Sequence, residues 1–330
     1  MTNYKIGIQL TKNLKKYQYL FSVLKSDLNS TQGLEFIHIP TDEDLQQKIP
    51  NLDILATYYL PEEIFSHATD NLKWVHFGNA GIEKSLHQPL LKSKTIITNA
   101  SGVHAGPVSE FVISVMLYFA KRVKDCHEFM QTTNWTQWEV VKQMVQLKGK
   151  TVGIIGFGSL GKAIAKKAKA FDMKVIATRR LQKKVEHKKT LDELIPLSML
   201  SHILKNSDFL VVACPLTPLT KGMIGKWELY QMKSTAFIIN VARGEIINKD
   251  ALLKVLQNKT IAGAALDVFE KEPLPKENPL FALDNVFLSP HISGNFPEYQ
   301  HDVVVQFADN LNRYLSGKDL KNRVCKKRLY

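Results

Sequence analysis

The run TVGIIGFGSLGKAIAKKAKAFDMKVIATRR, residues 151–180, constrains the fold of this chain more than any other segment. It opens with a continuous apolar stretch at 151–155 and passes through glycines at 156, 158 and 161. Leu160, Ile164, Ala168 and Phe171 then recur on one helical face, and a second apolar stretch follows at 173–178. Strand, glycine-rich turn, helix and strand make the unit from which open parallel sheets are wound. Each glycine of G-x-G-x-x-G has a task. Gly156 makes the tight turn, Gly158 lets a pyrophosphate approach the backbone, and Gly161 lets the helix pack on the strand. The helix start adds amide donors and the positive end of its dipole. Phe157, Ser159 and Leu160 complete the turn.

Two overlapping motifs fit less well. Read as a triphosphate loop, GFGSLGKA supplies both glycines and Lys162 but has Ala163 where a hydroxyl should hold Mg²⁺. Read as a serine nucleophile elbow, it has Phe157 in place of the first glycine.

Short apolar runs at 4–10, 33–39, 53–60, 71–77 and 94–100, and again at 208–214, 236–242, 261–269 and 285–291, alternate with polar, helix-like stretches. That alternation predicts parallel sheets with helices on their faces. Residues 107–124 read as one helix, either packed in the core or placed at a dimer interface. With 330 residues, 45% hydrophobic and 23% charged, the chain has enough apolar content for two domains. Cys126, Cys214 and Cys325 form no CxxC pair, which argues against a disulfide scaffold or a structural zinc and points to a reducing, cytoplasmic location. The start lacks a signal-peptide pattern, and the longest near-apolar run, 111–120, is about half a membrane span. Neither secretion nor membrane insertion is expected.

The net charge is +13, concentrated at 162–190, where eleven Lys/Arg face only Asp172 and Glu186, and at 318–330, where six face only Asp319. One cluster lies inside the glycine-turn unit and the other is a tail, so nucleic acid is not an expected partner. At the end of the second strand of a dinucleotide unit, NAD binding calls for an acidic side chain on the ribose hydroxyl. Here stand Thr178, Arg179 and Arg180. Two guanidinium groups suit a 2′-phosphate and favour NADP over NAD. The plainer alternative is a solvated basic corner shared with Lys183, Lys184, Lys188 and Lys189.

Three loops after later strands each carry one polar group suited to a 2-oxo acid: NVARGEIIN at 240–248, LDVFEKEPL at 266–274 and SPHISG at 289–294. Arg243 can bind a carboxylate and polarise the carbonyl, and His291 can give a proton to the forming alkoxide. Glu272 can hold His291 and favour its protonated form.

Together with the glycine turn, these loops make the chain resemble the D-isomer-specific 2-hydroxyacid dehydrogenase family. The blocks NLKWVHFGNAGIEKSL, ITNASGVHAGPVSEFVISVML, SDFLVVACPLTPLTKGMIG, AALDVFEKEPL and FADNLNRYLSGKDLKNRV carry the likeness through nearly the whole chain. The resemblance implies Arg243, Glu272 and His291 as the catalytic set. It implies a substrate loop at Asn79, Ala80, Gly81 and Ile82, with Asp267 near the nicotinamide. Cys214, Pro215, Thr220, Val241, Ala242 and Gly294 would line the rest of the cofactor cleft.

The fold implied is α/β with two doubly wound parallel-sheet domains. The resemblance implies a Rossmann cofactor domain at 101–295 inserted in a flavodoxin-like substrate domain formed by 1–100 and 296–330, and it implies a homodimer. Arg179, where NAD-using members carry aspartate, is similar to the NADPH-using glyoxylate and hydroxypyruvate reductases. A small 2-oxo or 2-hydroxy acid is the expected substrate. An NAD-dependent D-2-hydroxyacid or phosphoglycerate dehydrogenase is the alternative within the family, and a dinucleotide-sensing corepressor-like binding protein the alternative outside it. Tyr58, Tyr59 and His104 are left open between pocket and packing.

Overall fold

Two parallel sheets organise the chain. A computed structural model describes residues 3–188 and 190–329, so Lys189, read above as part of the basic corner, lies outside the described residues. The chain divides into one unit of Met1–Val103 with Phe296–Tyr330 and a second of His104–Asn295.

The first unit contains β1 (Tyr4–Gln9), β2 (Leu34–His38), β3 (Ile54–Thr57), β4 (Trp74–Phe77) and β5 (Ile96–Asn99). They pair in the order β2-β1-β3-β4-β5, all parallel. This is the flavodoxin-like winding. Every residue of β3 and β4 is buried, as parallel strands covered on both faces must be. Alternate residues serve the two faces: Leu55, Val75 and Phe77 join one apolar cluster, and Ile54, Ala56 and Trp74 the other. The second cluster also takes Val303, Phe307 and Leu311 from the helix Tyr299–Leu315, which returns the C-terminal part of the chain to this unit.

The second unit contains β6 (Thr151–Ile155), β7 (Lys174–Arg179), β8 (Glu186–Lys188), β9 (Leu191–Pro196), β10 (Phe209–Val212), β11 (Phe237–Asn240), β12 (Gly263–Leu266) and β13 (Val286–Leu288). The order is β13-β12-β11-β10-β6-β7-β9-β8, parallel except for β8 against β9. From β6 the chain winds outward to β7 and β9, then returns to β10 on the other side. The resulting switch point lies between β6 and β10, and in open α/β sheets ligands bind outside the strand ends at such a point. The expected class, a Rossmann unit and a flavodoxin-like unit, is the architecture observed.

One local expectation needs correction, and one hairpin was not expected. The helix read at 107–124 ends at Ala120, and a second runs Val123–Thr132. Between them Arg122 adopts φ +55° while its guanidinium donates to Asp125 Oδ1 at 2.9 Å, so the helical pattern continues through a break that the pairing stabilises. The strands β8 and β9 went unread, because charged residues mask the apolar positions Leu191, Leu194 and Ile195 that are buried in β9. Asp192 belongs there for a local reason: its carboxylate accepts from the Val175 amide at 2.7 Å.

Candidate active site

The glycine turn leaves β6 at the switch point. Gly156 has φ +107°, and a side chain there would stand 2.8 Å from the backbone of Ala213 and Cys214 at the end of β10. Only glycine satisfies both conditions. At Gly161 a Cβ would meet the Gly156 carbonyl at 2.2 Å, so the helix Ser159–Ala170 lies directly on the turn. At Gly158 a Cβ would meet nothing within 4 Å. The backbone there faces open space at a helix N-terminus, the cradle that a pyrophosphate needs, so the residues present fit a dinucleotide. Thr178 closes the turn from β7: its carbonyl accepts from the Phe157 amide at 2.9 Å and its hydroxyl from the Gly156 amide at 3.3 Å. Arg179 ends the strand and Arg180 follows it, both exposed.

Residues assigned to the cleft from the sequence have varied surroundings. Cys214, Val241 and Ala242 are buried, and burial pushes the Cys214 thiol up to about 12, which removes it as a nucleophile. Pro215 is exposed. The Thr220 hydroxyl is committed to its own loop, donating to the Pro215 carbonyl at 2.7 Å and accepting from the Thr217 amide at 2.8 Å. The Gly294 carbonyl is 2.8 Å from His104 Nδ1. His104 is half-buried, and its pKa is lowered first by burial, with His291 and Arg243 adding positive charge nearby. His104 thus neighbours both candidate catalytic side chains.

Arg243 follows β11. Asn240, buried at the strand end, accepts from the Ala242 amide at 3.1 Å and donates to the Arg243 carbonyl at 2.9 Å, fixing the bend. Arg243 Nη1 donates to the Ala242 carbonyl at 2.7 Å. A side chain at Gly244 would stand 2.1 Å from the Phe269 carbonyl carbon, so the loop that follows β12 passes directly over the Arg243 loop. Sequence reading missed Asn240, although its place two residues before an Ala-Arg-Gly bend was a usable signal.

The loops after β12 and β13 are joined by two carboxylates. Glu272 Oε1 accepts from the Phe269 amide at 2.9 Å, and Oε2 stands 2.8 Å from His291 Nδ1. The imidazole is 49% exposed and the carboxylate 35%, so the pair faces solvent rather than the core. His291 has φ +55°, a left-handed conformation that costs a side-chain-bearing residue about 1–3 kcal/mol. Asp267, fully buried, offsets that cost. Its Oδ1 accepts from the Ser289 hydroxyl at 2.6 Å and the Ile292 amide at 2.9 Å, and its Oδ2 from the Ser293 amide at 3.0 Å. Charge-assisted bonds of this kind are among the stronger ones. Asp267, which the family resemblance puts near the nicotinamide, clamps the loop that carries His291, with three of its roughly four acceptor positions filled.

In the first unit, the loop 79–82 is held through its carbonyls and neighbours. Asn99 donates to the Ala80 carbonyl at 2.8 Å, the Ala100 amide to the Asn79 carbonyl at 3.0 Å, and Asn79 Nδ2 to the Tyr58 carbonyl at 2.9 Å. The Tyr299 hydroxyl donates to the Gly78 carbonyl just before it. Among the described residues no protein acceptor takes the amides of Asn79, Ala80, Gly81 and Ile82. Tyr58 is half-buried and stacks near Tyr299, whereas Tyr59 is 47% exposed.

A Rossmann unit whose glycine turn fits a dinucleotide, with an arginine, a histidine and a carboxylate on neighbouring post-strand loops, defines a nicotinamide-dependent oxidoreductase. The chain belongs to the D-isomer specific 2-hydroxyacid dehydrogenases: the family's NAD-binding-domain model matches residues 113–293. A glyoxylate reductase of Thermococcus litoralis is 35% identical over 290 residues, covering 86% of this chain and 80% of that one. A D-isomer specific 2-hydroxyacid dehydrogenase family protein of Aeromonas salmonicida, of known structure, has a TM-score of 0.80 at 25% identity, covering 98% of this chain and 100% of the other. An NADPH-dependent glyoxylate/hydroxypyruvate reductase of Sinorhizobium meliloti, solved with NADP and sulfate, has a TM-score of 0.83 at 23% identity over 99% and 100%, a likeness of fold. The protein is an oxidoreductase of 2-oxo and 2-hydroxy acids that uses a nicotinamide dinucleotide.

Proposed function

We propose that this enzyme reduces glyoxylate, hydroxypyruvate or a similarly small 2-oxo acid to the D-2-hydroxy acid, with NADPH preferred over NADH. The observation that carries the reading is the 2.8 Å contact between Glu272 Oε2 and His291 Nδ1, on loops that abut the Arg243 bend. The dinucleotide, when bound, supplies the hydride. Arg243 binds the substrate carboxylate and draws electron density from the carbonyl. With Nδ1 held by Glu272, His291 presents Nε2 as the atom that gives the proton to the forming alkoxide. For the loop 79–82 we propose the carboxylate-receiving role that the family resemblance implies, supported by its four uncommitted amides.

NADPH preference is supported by Arg179 and Arg180 at the end of β7, where guanidinium groups can take a 2′-phosphate. The substrate is supported by the activity in the name of the Thermococcus litoralis relative. A homodimer is supported by the helices Val123–Thr132 and Gln137–Val141, which bury none of their residues, and by Met130, Trp135 and Trp138, each at least 70% exposed. An apolar surface of that kind suits a second copy of the chain. The division of labour, with a cofactor domain in the second unit and a substrate domain in the first, belongs to the same proposal.

Initial rates of NADPH and NADH oxidation, measured in parallel with glyoxylate and hydroxypyruvate, test the reading. Fast NADPH-dependent turnover is the expected result. A preference for NADH would overturn the cofactor assignment, and no turnover with either acceptor would overturn the substrate.

A further inference from the structure

The basic segment 318–328 is not absorbed by the chemistry above, and in the first unit it forms one wall of a cavity. Residues 322–324 run as a strap along the edge strand β5: the Asn99 amide donates to the Asn322 carbonyl, the Val324 amide donates to the Ile97 carbonyl at 2.8 Å, and Thr98 and Arg323 form an antiparallel bridge. Between the strap and the N-terminal end of β5 lies a cavity of about 320 Å³, lined by Ser93, Lys94, Thr95, Arg323, Cys325 and Lys326 among others. Among the described residues no acidic side chain lines it. β4 and β5 are parallel, so the cavity is at the opposite strand end from the loop 79–82 that follows β4.

Among the described residues the cationic groups of this cavity have no anionic partner. Lys326 is half-buried, and its ammonium donates to the carbonyls of Leu90 at 3.0 Å and Ser93 at 2.8 Å and to the Ser93 hydroxyl at 3.3 Å. All three acceptors are neutral, so they fix the ammonium without cancelling its charge. Burial, and then the neighbouring Arg323, lower its pKa, as expected where cations crowd one another. Lys321 pairs with Asp309 outside the cavity, but no ion pair engages Lys94, Arg323 or Lys326 among the described residues. An oxyanion placed there would meet the Arg323 guanidinium as a donor and the Lys326 ammonium, whose three hydrogens are already taken, as a fixed positive charge.

We propose that this cavity is a second anion site, separate from the candidate active site, that takes a phosphoryl oxyanion, either free phosphate or the phosphate of a small metabolite. Cys325 provides the readout, since it lines the cavity while Cys126 is exposed elsewhere and Cys214 is buried. The Arg328 guanidinium holds the Cys325 thiol below its ordinary pKa, so it alkylates readily, and an anion beside it shields the sulfur and disfavours the thiolate.

The test follows iodoacetamide labelling of the full chain by peptide mass spectrometry, with inorganic phosphate titrated against potassium chloride at matched ionic strength. At ten times its dissociation constant, phosphate should slow labelling of Cys325 about tenfold with saturation and leave Cys126 unchanged. Arg323→Ala should abolish the protection. Lys94→Ala, which lies outside the strap, should weaken it even if the Arg323 variant disturbs the strap. Arg243→Ala should retain full protection, which separates this site from the active site. Tighter protection by glycerol 3-phosphate assigns the site to a metabolite, and equal or weaker protection assigns it to free phosphate. Protection that fails to saturate, or that survives Arg323→Ala and Lys94→Ala, would overturn the proposal.

Discussion

Glu272 reaches His291 with one carboxylate oxygen while the other is tied to the Phe269 amide three residues back, so the acid that orients the imidazole is itself held at a fixed angle. Two bonds on one carboxylate leave little freedom to either side chain. His291→Ala should therefore lower kcat by about 10²- to 10⁴-fold, the usual worth of a positioned acid or base. Glu272→Gln, which keeps the shape but alters one donor–acceptor pairing, should lose a smaller part of that range. Cofactor dissociation constants from fluorescence titration should stay close to wild type for both variants; a large rise would assign the pair to binding instead of chemistry.

Asp267 governs the same histidine from the other side. Replacing it with Asn keeps the volume but removes the charge that gathers the Ile292 and Ser293 amides, and turns one acceptor atom into a donor. The cost to stability should be about 1–3 kcal/mol. Turnover should fall as well, because the left-handed His291 backbone loses what holds it. Denaturant unfolding and kcat measured on one preparation check both, and a variant with wild-type stability would refute the clamp.

Cofactor selectivity should reside at the end of β7. The double variant Arg179→Ala/Arg180→Ala should raise the NADPH dissociation constant by at least about tenfold and leave that of NADH nearly unchanged, since one lost charge-assisted bond is worth about 1.5–3 kcal/mol. Parallel titrations with the two cofactors decide it. Equal weakening of both would mean that the arginines form only a basic surface.

Stability should depend on pH through His76. This residue is fully buried beside Trp74 and Phe307, with Nδ1 on the Thr98 hydroxyl at 2.9 Å, and burial lowers its pKa to about 3. The unfolded chain binds a proton near pH 6.5 while the folded chain does not, so stability is full above that value and is lost as pH falls toward 3. From pH 7 to pH 5 the loss should be about 2 kcal/mol. Unfolding measured at pH 7 and pH 5 should show this difference in wild type and its absence in His76→Gln; the same slope in both would assign the effect elsewhere.

Assembly should respond to the exposed aromatic residues. Trp135→Ser with Trp138→Ser should shift sedimentation from a dimer toward the 37.4 kDa single chain, as expected when large apolar side chains leave an interface. Wild type sedimenting as one chain would defeat the dimer outright.

Much of the site was legible because its chemistry lies in local runs. GFGSLG sits between a strand and a helix, Arg243 in a bend after β11, and His291 in a turn after β13, and periodicity places each at a strand end without any long-range contact. Thr178, Arg179 and Arg180 are legible for the same reason, since spacing from the glycine turn carries them to the tip of β7. The hairpin of β8 with β9 was hidden because pairing across the sheet, not apolar alternation, stabilises a strand that carries Asp192 and Glu193.

What only the tertiary structure decided is which of several like groups meets which. Glu270, Glu272 and Asp267 lie within six residues of one another and have the same chemistry in sequence, yet one pairs with Lys249, one with His291, and one disappears beneath the loop it clamps. His104 reaches Gly294 across 190 positions, and the basic segment near the C-terminus closes a cavity on β5 more than 200 residues earlier. Local periodicity reports only which face of its own element a residue occupies. Partners so distant in sequence are chosen when buried polar groups must each find a counterpart, and that condition is set by the packed chain as a whole.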